Sequence, residues 1–420
     1  MNKEDFNEGL LGFLDASPTP FHATLNMSMM FENAGFIKLD ELDSWKLEHG
    51  KKYYVTRNDS SIIAFTYPEN QKSYLMVGAH TDSPNLKLKP NPLIKEHGVV
   101  KFGVEPYGGV LLNPWFDRDL SLAGRVSYEN TQGELQNSLV DAKSALAIIP
   151  SLAIHLDEKA NNERTINKQT DISPLVTIDE AFDFNEFVEW LLHKESVNDV
   201  KKIYSHELSF YDVQQASFVG LNRDFIASAR LDNLLSCYVG MLTLCSVTQE
   251  TPMLFIASDH EEVGSESTSG AGGSFLENTL RRMFSDYEEY TQMTRSSLLV
   301  SADNAHAIHP NYPGKHDANH APKINAGVVV KVNANQRYAS NATTISRFLH
   351  AAQLLREPTQ NFVTRSDMGC GSTIGPITAT RLGIDTLDVG LPTFAMHSIR
   401  ELCGRDDAHS LYKILLQMAR

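Results

Sequence analysis

The stretch Tyr74-Leu75-Met76-Val77-Gly78-Ala79-His80-Thr81-Asp82 decides the fold, because a short apolar run leads directly into a histidine and an acid. Such a run, bounded by polar residues, is typical of a buried β-strand. Four other segments have the same character: Met253-Leu254-Phe255-Ile256-Ala257, Ser297-Leu298-Leu299-Val300, Val328-Val329-Val330 and Thr386-Leu387-Asp388-Val389. Candidate helices lie at residues 6–14, 21–34, 231–247, 275–289, 342–355 and 408–418. Strands that alternate with helices predict an α/β fold.

The middle of the chain differs in amino-acid composition from the segments on either side of it. From Pro90 to about Asp141 it is rich in Gly, Pro, Val and Tyr, with turn signals such as Tyr107-Gly108-Gly109. A polar stretch from Asp157 to Asp171 then indicates a long exposed loop. We therefore predict an inserted β-rich domain at residues 91–227, and a catalytic domain formed by residues 1–90 and 228–420.

The composition narrows the classes of function. The 420 residues contain 52 acidic and 37 basic side chains, for a net charge of −15. The electrostatic field of this negative charge repels phosphate backbones and anionic lipids, so neither nucleic acid nor a membrane is an expected partner. Residues 1–10 lack the pattern of a secretory signal, and no apolar run reaches spanning length. Four scattered cysteines indicate no disulfide framework, which favours the cytoplasm.

Acids and histidines cluster where the predicted strands end. His80 and Asp82 come at the end of the first strand, and Asp259-His260-Glu261-Glu262 follow the second. Asp303 follows the third strand, and the strand near Asp388 precedes His397. In open α/β sheets, ligands bind beyond the carboxyl ends of the strands. Asp232 stands where a helix begins, so its carboxylate can point into the same crevice.

This set of residues matches the needs of two neighbouring zinc ions, which take imidazole and carboxylate ligands and share one bridging group. We predict His80, Asp303 and Asp232 at one ion and Asp232, Glu262 and His397 at the other, with Asp232 as the bridge. Mn or Co can substitute at such ligands. Asp82, two residues after His80 on the same strand face, is expected to orient the imidazole. Glu261 remains without a metal and is the candidate general base for the attacking water.

Each piece also has a plain structural interpretation. Asp303 can be a helix cap, His397 a hydrogen-bonded core histidine, and the acids at 82, 261 and 262 solvated side chains. The ordered combination of all of them is what favours the metal site over these separate interpretations.

The surrounding motifs carry a family resemblance. They are Gly78-Ala79-His80-Thr81-Asp82-Ser83-Pro84, Ser228-Ala229-Arg230-Leu231-Asp232-Asn233, Glu261-Glu262-Val263-Gly264-Ser265-Glu266-Ser267, Ala302-Asp303-Asn304-Ala305-His306-Ala307-Ile308-His309-Pro310 and Met396-His397-Ser398-Ile399-Arg400-Glu401. Together they closely resemble the aspartyl aminopeptidase, or aminopeptidase I, family of dinuclear zinc metallopeptidases. Further similar segments begin at Ser17, Asn335 and Gly371, so the resemblance spans nearly the whole chain.

The resemblance implies a three-layer α/β catalytic domain interrupted by a β-rich dimerisation domain, and assembly into a tetrahedral dodecamer. It implies the same zinc ligands, orienting acid and base as the residue chemistry does, and peptide substrates cut at the N-terminal bond. It places Lys331 where the family meets an acidic substrate side chain, although a solvated surface lysine is the alternative. His306 lies in a loop crowded with histidines, where it is either solvated or hydrogen-bonded, or, as we predict in preference to a third metal, in contact with substrate. His155 is either a hydrogen-bonded, partly buried histidine or, as the resemblance allows, a group at a neighbouring subunit's active site.

Two rival functions remain open at this point. One is another dinuclear zinc amidohydrolase, such as a carboxypeptidase or deacylase, which uses the same pair of metals. The other is a catalytically inactive assembly or cargo shell, for which the loss of a ligand or of the base is expected, whereas every one of them is present here.

Overall fold

The computed structural model describes all residues from Met1 to Arg420. Its nine α-helices are α1 Lys3–Ala16, α2 Pro20–Asn33, α3 Phe184–Lys194, α4 Leu231–Ser246, α5 Phe275–Met283, α6 Tyr287–Ser296, α7 Ala342–Leu355, α8 Ile374–Leu382 and α9 Asp407–Met418. None of them has the length and hydropathy that a helix needs to cross a bilayer.

The strands are β1 Ile37–Leu39, β2 Lys51–Arg57, β3 Ser61–Tyr67, β4 Leu75–His80, β5 Asn85–Glu96, β6 Val99–Tyr107, β7 Leu120–Asn130, β8 Leu135–Asp141, β9 Leu175–Thr177, β10 Val200–Asp212, β11 Ser217–Val219, β12 Phe225–Ser228, β13 Met253–Ser258, β14 Leu298–Ala302, β15 Ala305–His306, β16 Val328–Lys331, β17 Thr359–Phe362, β18 Asp385–Gly390, β19 Pro392–Phe394 and β20 Glu401–Gly404.

The chain forms two compact units. The first consists of residues Met1–Asp82, Ala216–Met396 and Glu401–Arg420, and the second of Ser83–Gln215 with His397–Arg400. The second unit thus begins before residue 91, ends before residue 227, and includes a short segment near the C-terminus. A role of the second unit in dimerisation remains a prediction.

A nine-stranded sheet forms the centre of the first unit, in the order β1-β2-β3-β13-β4-β14-β18-β16-β17. Strands β13, β4, β14 and β18 run parallel to their neighbours in this series. Their carboxyl ends therefore lie at one edge of the sheet, which is where the polar residues of the sequence motifs follow them.

Helices cover both faces of this sheet, as the alternation of side chains along the strands shows. Val77 and Phe255 belong to a core that includes residues of α1, α2, α4, α7 and α9. Met76 and Leu254 belong to a separate core with residues of α5 and α6. A sheet between two helical layers confirms the predicted α/β fold class.

A smaller five-stranded sheet in the first unit has the order β11-β12-β20-β19-β15. In it Ser228, at the end of β12, pairs with Glu401 at the start of β20. This pairing holds a buried glutamate next to the segment that leads into α4.

The second unit contains a six-stranded antiparallel sheet in the order β8-β7-β10-β5-β6-β9. Helix α3 buries Val188, Leu191 and Leu192 in a core that also contains Phe102 and Phe210. Residues 157–171 contain turns without a helix or strand, as their polar composition predicts.

The five strands quoted from the sequence are all present, and five of the six predicted helices appear near their expected bounds. The helix predicted at 275–289 is wrong, because the structure has two helices there, α5 and α6. Asp286 starts the second helix, since its side chain accepts a hydrogen bond from the Glu289 backbone N–H at 2.9 Å.

Candidate active site

The parallel strands bring two candidate ligands to the same level of the sheet. His80 is the last residue of β4, and Ser301 of β14 pairs with Gly78 of β4. Because His80 follows Gly78 by two residues and Asp303 follows Ser301 by two, both side chains stand at the same height beyond the sheet edge. On the other side of β4, Ser258 pairs with His80, and the acids after β13 begin there.

Asp232 reaches this edge from the start of α4. Its backbone conformation is not helical, and its N–H donates to Glu401 Oε2 at 2.9 Å. The side chain of the next residue, Asn233, donates to the Ala302 carbonyl at 2.9 Å, directly before Asp303. The beginning of the helix is therefore attached to the end of β14, which sets Asp232 beside Asp303.

The resulting cluster is centred on the His80 imidazole. Its Nε2 atom lies 3.3 Å from Asp232 Oδ1, 3.7 Å from Asp303 Oδ1 and 4.0 Å from Glu261 Oε2. Within the first unit, two sets of three residues offer ligand atoms within 4.8 Å of one another, namely His80, Asp232 and Asp303, and His80, Glu261 and Glu262.

Asp82 organises the neighbouring turn. Its carboxylate accepts hydrogen bonds from the backbone N–H groups of Glu261, at 3.1 Å, and Glu262, at 3.0 Å. The same carboxylate lies 3.4 Å from His80 Nδ1, and the backbone carbonyl of Asp82 lies 3.0 Å from that nitrogen. Asp82 thus stands between the imidazole and the two glutamates, which is suitable for orienting all three.

The electrostatics of the cluster are dominated by close carboxylates. Burial alone lowers the pKa of His80, but Asp232, Asp303 and Asp82 together raise that pKa well above its ordinary value. Burial raises the pKa of Glu261 to about 7; His80 opposes this change, and the three aspartates reinforce it. Anions crowded in a buried site repel one another unless a cation lies among them.

These donors fit divalent zinc. Carboxylate oxygens and an imidazole nitrogen are zinc ligands, and the same set also accepts Mn and Co. His80, Asp232 and Asp303 would hold one ion. The repulsion between the crowded carboxylates of this cluster is the physical reason to expect a bound cation there.

Lys331 is the other cation of this region. It ends β16, is only 2% exposed, and its Nζ lies 3.2 Å from Asp303 Oδ2. The same Nζ lies 5.2 Å from the centre of the Tyr338 ring. A solvated surface lysine, the plain alternative from the sequence, is therefore excluded.

A pocket of about 290 Å³ opens beside these residues. His306, Tyr338, Phe362, Gly371 and Phe394 are among its lining residues. His306 meets the Phe362 ring edge to face, with 6.0 Å between ring centres. This places His306 on a pocket wall, where the sequence predicted a substrate contact.

Two predicted site residues belong to the second unit. His397 has its Nδ1 3.2 Å from the Gly109 carbonyl, and its own carbonyl accepts from the Leu111 N–H at 3.0 Å. His155 is exposed in a turn of the same unit. Their roles as a zinc ligand and as a group at a neighbour's site remain predictions.

Sequence reasoning missed three residues that support the site. Glu401 accepts from the backbone of Asp232, Tyr338 lies beside Lys331, and Asp388 is fully buried on β18. The available signal for Asp388 was an acid within an apolar strand run. Tyr338 and Glu401 lie in segments that resemble the family, but no local pattern indicated their contacts.

Comparisons with known proteins agree with this architecture. Residues 13–418 match the model of the aminopeptidase I zinc metalloprotease (M18) family. A probable M18 family aminopeptidase 2 of Pseudomonas fluorescens strain Pf0-1 is 52% identical over 419 residues, covering 98% of this chain and 97% of the relative.

Solved structures resemble the whole chain as well. A chain of the cryo-EM structure of the Ape4 and Nbr1 complex is 37% identical with a TM-score of 0.94, covering 99% of this chain and 85% of that one. The mApe1 dodecamer of S. cerevisiae is 27% identical with a TM-score of 0.86, covering 99% of this chain and 97% of that one. The chain therefore belongs to the M18 family of aminopeptidase I zinc metalloproteases and is a metallo-aminopeptidase.

Proposed function

We propose that this aminopeptidase uses two zinc ions and prefers peptides with Asp or Glu at the N-terminus. The observation that carries the proposal is the convergence of His80, Asp232, Asp303 and the Glu261–Glu262 pair at one sheet edge, with buried Lys331 beside them. His80, Asp232 and Asp303 would hold one ion. Asp232, Glu262 and His397, the set predicted from the sequence, would hold the other, with Asp232 shared.

The division of roles follows from the chemistry of the side chains. When bound, zinc supplies Lewis acidity toward the scissile carbonyl and lowers the pKa of water toward ~7. Glu261 accepts a proton from the attacking water and passes it to the leaving amine. Asp82 holds the backbone of this glutamate through the N–H groups of residues 261 and 262.

Lys331 supports the acidic preference because its ammonium is buried near a pocket. A cation in a dry environment attracts a carboxylate more strongly than a solvated one does, since water screens the solvated charge. We assign Lys331 to the side chain of the N-terminal residue, and His306 on the pocket wall to the substrate backbone.

Assembly belongs to the same proposal. The related mApe1 structure is a dodecamer, and we propose that this chain forms a homo-oligomer of the same kind, with tetrahedral arrangement and with His155 contributed to a neighbouring site. All four cysteines are free thiols, which supports the proposed cytoplasmic location.

The deciding experiment combines metal analysis with a substrate profile. Protein purified without chelator is expected to contain two zinc-class ions per chain, and to release Asp and Glu from aminoacyl reporters faster than neutral residues. Chelation is expected to abolish activity and lower the melting temperature, and added zinc, cobalt or manganese to restore both.

The same experiment separates the rivals. Cleavage of N-blocked peptides in preference to free-amine peptides would indicate a carboxypeptidase or deacylase instead. A chain with no metal, and no rescue by any of the three ions, would contradict the proposal and favour an inactive shell.

A further inference from the structure

A buried acid outside the metal cluster connects two loops at the pocket. Asp388 lies on β18, where it pairs with Ser301 of β14, and the next residue, Val389, pairs with Val330 beside Lys331. It is 0% exposed. It thus lies between β14, which leads to Asp303, and β16, which carries Lys331.

The first loop, residues 333–341, is named here the Tyr338 loop. Asp388 Oδ2 accepts from the Ala339 backbone N–H at 2.6 Å. The hydroxyl of Ser340 accepts from the Asp388 backbone N–H at 2.9 Å and lies 3.3 Å from the Asp388 carbonyl. Three contacts within two residues thus attach this loop to β18, directly after Tyr338.

The second loop, residues 365–373, is named here the glycine loop. Asp388 Oδ1 accepts from the Thr373 hydroxyl at 2.6 Å, where the loop enters α8. A Cβ atom on Gly375 would lie 2.5 Å from both carboxylate oxygens, so only glycine leaves space for this acid. The backbone at Gly375 therefore lies directly against the Asp388 carboxylate.

The loops also bind each other. Arg337 Nε donates to the Cys370 carbonyl at 3.2 Å, and the Ser372 hydroxyl donates to the Arg337 carbonyl at 3.3 Å. Tyr338 from the first loop and Met368, Gly369 and Gly371 from the second line the same pocket. One side of the pocket wall is thus made of two irregular segments, and both are attached to the sheet through the Asp388 carboxylate.

We infer that Asp388 is a positioning residue for substrate specificity, which holds the Tyr338 loop and the glycine loop against β18 so that Tyr338 and Lys331 face the bound N-terminal residue together. This inference rests on the proposed function, since it assigns the pocket to that residue. Burial raises the pKa of Asp388, and its hydrogen bonds with the Thr373 hydroxyl and the Ala339 backbone N–H oppose this change. The acid therefore depends on the donors that the two loops provide.

Asp388 contacts no candidate metal ligand through these bonds, which predicts a selective effect. If the Tyr338 loop and the glycine loop are held less firmly, substrate and transition state both bind more weakly. KM is therefore expected to rise while kcat is unchanged. Metal content is expected to be unchanged.

The test uses buried threonines as a matched set. Thr373→Val removes the hydroxyl from the carboxylate, Thr373→Ser retains it, and Thr386→Val removes a buried hydroxyl from the start of β18, where it contacts only the Ile384 carbonyl. We expect Thr373→Val to raise KM for the preferred substrate about tenfold, as for loss of one hydrogen bond to a charged group. Thr373→Ser and Thr386→Val are expected to remain within about twofold of wild type. Asp388→Ala should show a larger change of the same kind if it folds.

Cys370 supplies a second measurement that does not depend on activity. It lies in the glycine loop, partly buried, and its Sγ accepts from the Thr364 hydroxyl at 3.2 Å. A released loop exposes this thiol, so we expect Thr373→Val to increase its rate of reaction with a thiol reagent several-fold, and Thr386→Val to leave it unchanged. Cys370→Ser in each background identifies the signal.

The outcomes distinguish this inference from the proposed function. If the wild type prefers neutral residues, the acidic preference fails, and the KM comparison is made on whichever substrate it prefers. Equal KM values and equal Cys370 rates in the Thr373→Val and Thr386→Val proteins would overturn the positioning role.

Discussion

At the residue scale, we expect Glu261 and Glu262 to have different roles although the two side chains carry the same charge. Replacing Glu261 by Gln removes basicity but keeps shape, so zinc is expected to stay bound while kcat falls by roughly 10²–10⁴. Replacing Glu262 by Gln weakens a proposed ligand, so zinc occupancy itself is expected to fall, with partial recovery in excess metal. Metal analysis and steady-state kinetics on the two proteins, measured side by side, check this.

Each variant is the control for the other, because both replace a glutamate by glutamine and their positions are adjacent in the chain. A Glu261→Gln protein that loses its zinc, or keeps full turnover, would contradict the division of roles. The reason to expect a division is the predicted ligand set of the second ion, which includes Glu262 and leaves Glu261 without a metal, while Asp82 holds the backbone N–H groups of both residues.

Lys331 allows a second prediction at this scale. Lys331→Met retains the buried apolar stem and removes the charge, so the ratio of kcat/KM for acidic over neutral N-terminal residues is expected to fall about 10- to 100-fold, as for loss of a hydrogen bond to a charged group. Reporter substrates that differ only in the N-terminal residue measure this ratio.

Lys323→Ala is a suitable control, because that lysine is exposed and precedes the same strand. An unchanged ratio in Lys331→Met would show that the ammonium serves Asp303 alone, to which it is 3.2 Å away.

At the element scale, the packing of α4 on the sheet predicts a stability difference between two helical glycines. A Cβ on Gly240 would lie 2.5 Å from the ring of Phe255 and 3.1 Å from Val77, both in the core, whereas a Cβ on Gly12 of α1 meets nothing within 4 Å. Gly240→Ala is therefore expected to destabilise the protein by about 1–3 kcal/mol through overpacking. Gly12→Ala is expected to stabilise it by about 0.5–1 kcal/mol through helix propensity.

Urea denaturation of both variants and the wild type measures these changes in the free energy of unfolding. A Gly240→Ala protein as stable as Gly12→Ala would mean that α4 can move away from β13. The start of α4 argues against such movement, since Asn233 attaches it to the Ala302 carbonyl.

At the scale of the whole molecule, we expect a large closed homo-oligomer. The motivation is the related dodecamer and the second unit, whose antiparallel sheet contains none of the acids of the His80 cluster. Light scattering or native mass spectrometry at several protein concentrations checks the mass. A purely monomeric mass at all of them would refute the assembly, while leaving the metal chemistry to be judged separately.

Much of the fold was predictable because its signals are local. Short apolar runs mark β4, β13, β14, β16 and β18, since a strand that is buried on both faces needs apolar side chains on both. The α5 and α6 pair was not separated, because the break at Asp286 depends on a single capping side chain within a continuous amphipathic pattern.

The sequence by itself determined the family and the α/β class, and it predicted that His80, Glu261, Glu262 and Asp303 meet, because each lies at or just after the end of a recognisable strand and parallel strands end together. Only the tertiary structure decided that Lys331 is buried against Asp303, that Glu401 holds the backbone of Asp232, and that Asp388 joins two pocket loops. These contacts join residues 28, 169, 49 and 15 positions apart along the chain. Long-range hydrogen bonds of this kind leave no periodic pattern in a sequence, because they depend on which side chains the folded sheet places face to face.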